Sequence, residues 1–370
     1  MQLSLNIKAL LDLFQNTNTS YKFLYFYSLI KIIKKNNFKK TISFKEILNE
    51  MLITAWLPCF QFNLNFRKQD KIKDLLKKFT KNTKEEIKIN KPTNKIISNI
   101  TREVEKILNN KKDAEFLKEK LLKYVVIRLV RPFYAKLKNM PESGKISIFK
   151  TANKILIRDY KKEQPPYLIK IKKNEIILNR KWSRYIQSHF LFLELWVLNE
   201  WHGYMQHQNR NSPSLYEKLK FPELQRNSLE KQRKFWKKII NKHKINCIFT
   251  GEVLTNDNFD VDHFISWNFL AHDQEWNLIP VLSEVNKSKN NKIPNKKFFE
   301  PFVNFKIKSL SYAKTILPAK KYKDYLAEHS NFINFSYRQC FTPAFKSRYI
   351  DEIISLANRA KNQGFENYEY

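Results

Sequence analysis

The apolar residues in the first third of the chain recur at intervals of three and four positions, from residue 7 to about residue 121. Leu24, Tyr27 and Ile30 are one example of this spacing, which is the period of an α-helix. Residues 83–95 are polar and contain Pro92, and this composition predicts a loop between helices. The pattern therefore predicts a large helical N-terminal region.

The pattern changes near Gly144, where short β-branched and apolar runs begin. Residues 146–149, 154–157 and 167–178 predict a small cluster of strands or a hairpin pair, because turn residues separate the runs. Helical spacing then returns over residues 182–206, with an aromatic-rich stripe that predicts a core helix. The stripe consists of Trp182, Ile186, Phe190, Leu193, Val197 and Trp201.

Further helices are predicted at residues 228–242, which are rich in lysine, and at residues 312–327 and 350–361. Together these elements predict an α+β protein that is mostly helical. We divide it into a helical N-terminal domain (1–140), a strand cluster with a long connecting helix (141–227), a segment that carries the chemistry (228–300), and a helical C-terminal extension (301–370). A chain of 370 residues is long enough for two or three compact units.

The charge balance gives a first indication of function. The chain has 69 Lys and Arg residues against 35 Asp and Glu residues, a formal net charge of +34. Such an excess favours a polyanionic partner such as nucleic acid. The alternative is compositional: lysine and asparagine are also abundant in proteins from AT-rich genomes, and excess lysine can simply coat a surface.

The cysteines and the hydropathy pattern favour a cytoplasmic protein. Cys59, Cys247 and Cys340 are far apart and form no C-x-x-C pair, which excludes a disulfide framework and a complete zinc ribbon. The best apolar run, residues 190–197, is interrupted by Glu194, and no basic segment precedes an apolar core at residue 1. We therefore expect neither a signal peptide nor a membrane span.

Polar residues typical of a catalytic site are concentrated between Cys247 and Pro294. Here the pattern predicts two strands, at residues 259–265 and 277–282, and then a helix with Ser283 as its N-cap. Hydrolysis of a phosphodiester requires a deprotonated water and a metal ion that neutralises charge on the phosphoryl and leaving oxygens.

One residue of each required type is present in this segment. His263 is the candidate general base, because an imidazole is mostly neutral at physiological pH and can accept a proton. Asp262 and Asn286 provide the hard oxygen atoms that Mg²⁺ prefers. The sequence therefore predicts Asp262 and Asn286 as metal ligands.

The segment resembles an HNH, or ββα-metal, endonuclease motif. His263 matches the first His of that motif, Asn277 the middle Asn, and Asn286 the position of the final His. With an Asn there and Asp-Val-Asp-His before it, the motif is similar to the HNH domain of RNA-guided CRISPR nucleases. The resemblance implies a ββα-metal core in which His263 is the base, Asn277 braces the loop that orients the base, and Lys289 faces the phosphates.

Many members of this family have a zinc ion that braces the fold, held by two C-x-x-C pairs. The corresponding positions here are Cys247, Thr250, Leu282 and Val285, so one of four ligands is present. One thiolate does not make a zinc site. We therefore expect no structural zinc, and we expect Cys247 to be a small buried apolar residue in a core that replaces the metal.

Other polar residues near the motif have two interpretations each. Asp260 lies on the same strand face as Asp262 and is a supporting or alternative metal residue. Asn290, one helical turn after Asn286, either reaches the metal or ends the helix. His272 is interpreted as a solvated loop residue. The lysines of the final helix contact nucleic acid or are solvated charges: Lys287, Lys289 and Lys292.

These residues predict a metal-dependent endonuclease that hydrolyses DNA with one Mg²⁺ or Mn²⁺ ion, and double-stranded DNA is the expected partner. The resemblance implies a role in restriction or anti-phage defence. An inactive nucleic-acid-binding module and an RNA-cleaving nuclease are the alternatives. Assembly as a homodimer, or with a partner protein of a defence system, is also left open.

Overall fold

The computed structural model describes residues 5–35, 39–80, 93–138, 146–220 and 227–370. The chain forms two compact units. The first contains Met1–Arg210 and Leu215–Leu224, and the second contains Asn211–Ser214 and Gln225–Tyr370. No helix in the described part of the chain has the length and apolar character needed to cross a membrane.

The first unit is mostly helical. Its helices are α1 (Ile7–Leu11), α2 (Tyr21–Lys35), α3 (Phe44–Phe60), α4 (Ile72–Thr80), α5 (Thr93–Asn109), α6 (Lys111–Leu117), α7 (Val125–Val130), α8 (Ala135–Lys138), α9 (Ile146–Arg158), α10 (Tyr160–Glu163), α11 (Arg180–Ser188), α12 (Phe190–Gln206) and α13 (Leu215–Leu219). Its strands are β1 (Thr41–Ser43), β2 (Tyr167–Lys170) and β3 (Glu175–Leu178). They form an antiparallel sheet in the order β1-β3-β2.

Helix α2 is central to the first unit, because nearly all of its faces are buried. Helix α3 begins at a capping box in which the Ser43 hydroxyl accepts from the backbone N–H of Glu46, and the Glu46 carboxylate accepts from the backbone N–H of Ser43. The predicted helical N-terminal region is confirmed. Most of the loop predicted at residues 83–95 lies outside the described residues, and α5 begins at Thr93.

Two sequence predictions in the first unit are wrong. Residues 146–149 and 154–157 are part of helix α9 and not strands. Ala152 and Leu156 are buried four positions apart, so burial at the helical period outweighs the β-branched composition. The helix predicted over residues 182–206 is two helices, α11 and α12, which meet at His189 with φ −120°. The strand pair predicted within residues 167–178 is confirmed.

The second unit contains α14 (Glu230–Lys242), β4 (Phe259–His263), α15 (Trp267–Leu270), β5 (Leu278–Leu282), α16 (Ser283–Lys289), β6 (Ile293–Pro294), α17 (Phe299–Lys314), α18 (Ala319–Phe332), α19 (Pro343–Asn362) and β7 (Asn367–Tyr368). Strands β4 and β5 are antiparallel, with Phe259 opposite Leu282 and His263 opposite Leu278. Helix α16 follows β5 directly. The short strands β6 and β7 pair in parallel.

All five residues of β5 are buried, because α17, α18 and α19 cover the strand pair. One apolar cluster contains residues of β4, β5 and α16 together with residues of these three helices. The ring of Phe302, in α17, stacks on the ring of Phe264 at 3.8 Å between centroids and 8° between planes. The predicted segments 228–300 and 301–370 therefore share one core, and the four-segment division of the chain stays a prediction.

This shared core makes α17 necessary for the stability of the strand pair. Replacing the fully buried Phe302 by Ala removes the ring stacked on Phe264 and leaves a cavity, which should lower the free energy of unfolding by about 3–5 kcal/mol. Urea unfolding of the purified variants measures the change. The control is Phe341→Ala, because Phe341 is exposed and should lose less than about 0.5 kcal/mol. Equal losses in the two variants would contradict the shared core.

Candidate active site

The candidate site is built at the end of strand β4. Asp262 and His263 are the last two residues of the strand, paired with Ile279 and Leu278 of β5. Their side chains are both buried. Because the strand ends at His263, the chain can turn there and is not held to strict strand alternation.

Asn277 fixes the turn that follows His263. Its side-chain Oδ1 accepts a hydrogen bond from the backbone N–H of Ile265 at 2.8 Å, and its Nδ2 donates to the carbonyl oxygen of Ile265 at 2.8 Å. The backbone carbonyl of Asn277 also accepts from the N–H of Phe264 at 2.8 Å. Asn277 is fully buried, so losing this side chain would leave two buried backbone groups without partners. These contacts are of the kind that the resemblance implies for the middle Asn.

Asp262 is paired with Lys289. The Lys289 ammonium lies 2.8 Å from Oδ2 of Asp262 and donates to the carbonyl oxygen of His263 at 2.7 Å. Lys289 is fully buried. Its charge is therefore directed at the strand that carries the two candidate residues, and not at solvent as we expected for a phosphate contact.

Asp260 and Asn286 are also brought together. The Asn286 amide nitrogen donates to Oδ2 of Asp260 at 3.4 Å, and Oδ1 of Asp260 accepts from the Arg233 guanidinium at 2.9 Å. Asp260 and Asp262 are two residues apart on β4 and share a strand face. Asp260 and Asn286 are therefore in contact, and both carry oxygen atoms of the kind that Mg²⁺ prefers.

Sequence reasoning missed Asp273. Its Oδ1 lies 2.9 Å from Nε2 of His263, and it comes from the loop between α15 and β5. This contact orients the imidazole ring of His263. No motif spacing indicated Asp273, because the loop position that brings it to His263 depends on the fold.

The structure also places the other residues that the sequence predicted near the motif. Asn290 ends α16 at φ 48°, and its N–H donates to the carbonyl of Asn286, so its backbone has the helix-ending role. Lys287 is exposed, and Lys292 is half-buried. His272 is half-buried against the ring of Trp276, at 5.5 Å between centroids.

The four positions that correspond to zinc ligands in other HNH domains lie in or beside the core. Cys247, Leu282 and Val285 are buried members of the apolar cluster of the second unit. The Cys247 carbonyl accepts from the N–H of Gly251, which has φ 79°, and Thr250 accepts from the N–H of Glu252. Within the described residues, no three His, Cys, Asp or Glu side chains are grouped as metal ligands.

Three C-terminal helices hold the segment that carries Asn277. The Lys306 ammonium, from α17, donates to the carbonyl oxygens of Glu275 at 2.7 Å and Leu278 at 2.9 Å. Glu328 of α18 accepts from the backbone N–H of Glu275. The Tyr349 hydroxyl, from α19, donates to the carbonyl of Trp276 at 2.7 Å. Sequence reasoning missed all three residues.

The charges of the Glu275 carboxyl and the Lys306 ammonium influence each other behind the site. Burial raises the pKa of Glu275 to about 7, although the charge of Lys306 acts in the opposite direction and the charge of Glu328 adds to the shift. Burial also lowers the pKa of Lys306, against the effect of the two carboxyl groups. The protonation state of the Glu275 carboxyl, which lies behind the site, therefore changes near neutral pH.

A family model described as HNH endonuclease matches residues 247–295. The chain carries an HNH-family domain. The matched residues contain β4, β5 and α16 with all of Asp260, Asp262, His263, Asn277 and Asn286, so the resemblance drawn from the motif is confirmed. No curated protein and no solved structure matches the chain.

The HNH domain indicates a nuclease with a nucleic-acid substrate. Nucleases of this family generally use a divalent metal ion. Lys306, Glu328 and Tyr349 all lie beyond residue 295, so the helices that support the HNH domain are outside the matched residues.

The buried Glu275 carboxyl makes stability depend on pH. Replacing Lys306 by Met removes the charge that lowers the pKa of Glu275, so this pKa should rise further above its ordinary value of 4.5. A pKa raised by folding gives stability that is complete below the unfolded pKa and is lost as pH rises through the folded pKa. The free energy of unfolding of Lys306→Met should therefore fall more steeply than that of the wild type from pH 5 to pH 8, by about 1.4 kcal/mol for each added pKa unit.

Urea unfolding at the two pH values measures this difference. The hydrogen bonds lost from Lys306 lower both values alike, so the pH dependence isolates the charge effect. Lys308→Met is the control, since Lys308 is an exposed lysine of the same helix. Parallel stability curves for wild type and Lys306→Met would contradict the interpretation.

Proposed function

We propose that the HNH domain is a metal-dependent endonuclease that hydrolyses DNA phosphodiester bonds, with His263 as the general base. The observation that carries the proposal is the position of His263. Its Nε2 contacts Asp273 at 2.9 Å, and the turn after it is fixed by the two hydrogen bonds between Asn277 and Ile265. These contacts hold the imidazole ring in one orientation, which a general base needs for proton transfer.

In the proposed reaction, the imidazole of His263 accepts a proton from water as the water oxygen attacks phosphorus. The bond between phosphorus and the leaving oxygen breaks, and the leaving oxygen takes a proton from a solvent water. Asp273 accepts the Nε2 proton as a hydrogen bond throughout and stabilises the imidazolium that forms. Asn277 holds the loop in place during the step.

Asp262 and Asn286 are the proposed ligands of one Mg²⁺ or Mn²⁺ ion, with Asp260 beside them. The residue types fit such an ion, because two carboxylates of one strand and an amide that contacts Asp260 offer hard oxygens. When bound, the ion neutralises negative charge on the phosphoryl and leaving oxygens. The strand pair β4–β5 followed by α16 supports a ββα-metal arrangement around this site.

Lys289 acts in this proposal as a positioning residue. Its buried ammonium lies between the Asp262 carboxylate and the His263 carbonyl, so it fixes the end of β4 where both functional side chains begin. This positioning role differs from the direct contact with phosphate that the motif predicted for Lys289. Lys287, which is exposed on α16, keeps its proposed contact with nucleic acid.

The net charge of +34 supports a polyanionic substrate, and DNA is the substrate that we propose. The similarity of the motif to the HNH domain of RNA-guided CRISPR nucleases supports a role in restriction or anti-phage defence. Incubation with plasmid, linear DNA and RNA, each with Mg²⁺, Mn²⁺ or EDTA, tests the substrate and the metal. Cleavage of RNA alone, or binding without cleavage of any substrate, would contradict the DNA endonuclease.

His263→Ala should lower the rate of DNA cleavage by about 10²-fold or more, because the base is lost, while DNA binding is retained. Cleavage and filter-binding assays on the same preparation measure the two effects. His272→Ala is the control, since His272 is close in sequence and has no role in the proposed reaction. Near-normal cleavage by a folded His263→Ala variant would refute His263 as the base.

Asp273→Asn should lower kcat about 10- to 100-fold, because the amide can donate to Nε2 and so favour the wrong imidazole tautomer. Single-turnover cleavage at saturating DNA measures the change, and KM should stay nearly constant. Asp257→Asn, an exposed Asp in the same domain, is the control and should leave kcat unchanged. An equal kcat for both variants would mean that Asp273 does not orient the base.

A further inference from the structure

Helix α14 has two chemically distinct faces. Trp236 and Ile239 are fully buried on one face, in the apolar cluster of the second unit. Lys231, Lys234 and Lys238 are exposed on the opposite face, three and four positions apart. This spacing aligns the three side chains along one side of a helix, and we call this set the lysine row.

The lysine row is not neutralised by any residue in the part of the chain that the structure describes. Within the described residues, no carboxylate forms an ion pair with Lys231, Lys234 or Lys238. Other surface lysines of this unit are engaged: Lys346 pairs with Glu300 at 2.8 Å, and Lys323 lies over the ring of Tyr337 at 5.2 Å. The row therefore presents positive charge that a polyanion can neutralise.

One residue connects α14 to the candidate active site. Arg233 lies at the edge of the lysine row, and its guanidinium donates to Asp260 at 2.9 Å. Asp260 in turn accepts from Asn286, a proposed metal ligand. The edge of the lysine row and the proposed metal residues are thus joined by two consecutive side-chain contacts.

We propose that α14 is the helix on which the HNH domain binds the backbone of its nucleic-acid substrate. The lysine row contacts phosphates within about three nucleotide steps of one strand, and Arg233 lies at the edge of the row next to the cleaved bond. Seven residues of helix advance about 10 Å, which is close to three nucleotide steps of about 3.4 Å in one strand. This proposal rests on the proposed nuclease function, and it assigns the substrate contact to residues outside the matched segment 247–295.

The first test removes two charges from α14. Lys234→Gln with Lys238→Gln should weaken DNA binding about 10- to 100-fold at 0.1 M salt, because two phosphate contacts are lost. The slope of log affinity against log salt should become less steep by about 1.8, at about 0.9 for each contact.

The control removes the same charge elsewhere in the unit. Lys320→Gln with Lys321→Gln changes two exposed lysines at the start of α18 and should alter affinity less than about two-fold. If both double variants weaken binding equally, the charge acts diffusely and the proposal for α14 is overturned. Circular dichroism of both variants shows whether each is folded.

A second test locates the DNA directly. The three native cysteines, Cys59, Cys247 and Cys340, are buried, so a cysteine introduced at an exposed site can be labelled selectively. Lys234→Cys carrying a photocrosslinker should capture duplex DNA, and Lys320→Cys carrying the same group should not. Equal capture at both sites would overturn the proposal.

The outcomes for α14 and for the nuclease are separable. Cleavage by the wild type together with equal effects of the two double variants would refute α14 as the binding helix and leave the nuclease intact. Crosslinking at residue 234 without cleavage by the wild type would refute the nuclease and leave α14 as a binding surface.

Discussion

The two hydrogen bonds between the Asn277 side chain and the backbone of Ile265 are the constraint on which the site depends. They join the start of β5 to the residues just after β4, which fixes where the strand stops and the turn begins. His263 and Asp262 occupy that end. A small change in this loop would move the imidazole and the carboxylate together, and both would leave their partners Asp273 and Lys289.

Packing from the C-terminal helices supports the loop that Asn277 holds. Apolar residues occupy two of the positions where relatives have zinc ligands, and Leu282 and Val285 join a core that includes α17, α18 and α19. Lys306, Glu328 and Tyr349 then contact the backbone of residues 275–278 from behind. A buried lysine is costly unless it is well paired, and here its donors are used to hold two carbonyls that flank Asn277.

Local signals in the sequence predicted β4, β5 and α16, and the motif residues within them, because residue composition and residue chemistry are encoded within a few positions. The prediction of Ser283 as the N-cap was wrong, since α16 begins at Ser283 and its N-cap, Leu282, makes no side-chain hydrogen bond. Strand β1 was not predicted, since it has three residues and is defined by pairing with β3 far along the chain. Residues 146–158 form helix α9 because Ala152 and Leu156 are buried at helical spacing, although the composition of this segment had predicted strands. Asp273 and the buried environment of Lys289 also depend on tertiary contacts, and one sequence without its fold contains no signal for them.

The parallel pairing of β6 with β7 joins residues 293–294, just after the motif, to residues 367–368. Ser288 of α16 also hydrogen-bonds to Tyr368 at 2.8 Å. During synthesis, the ribosome therefore delivers all of the motif before the segment that completes its core. At about 5–20 residues per second, synthesis of the roughly 70 residues between β6 and β7 takes several seconds. Until α17, α18 and α19 have been made, the strand pair lacks its full cover, so a nascent chain carries the residues of a nuclease without the packed site that would make it one.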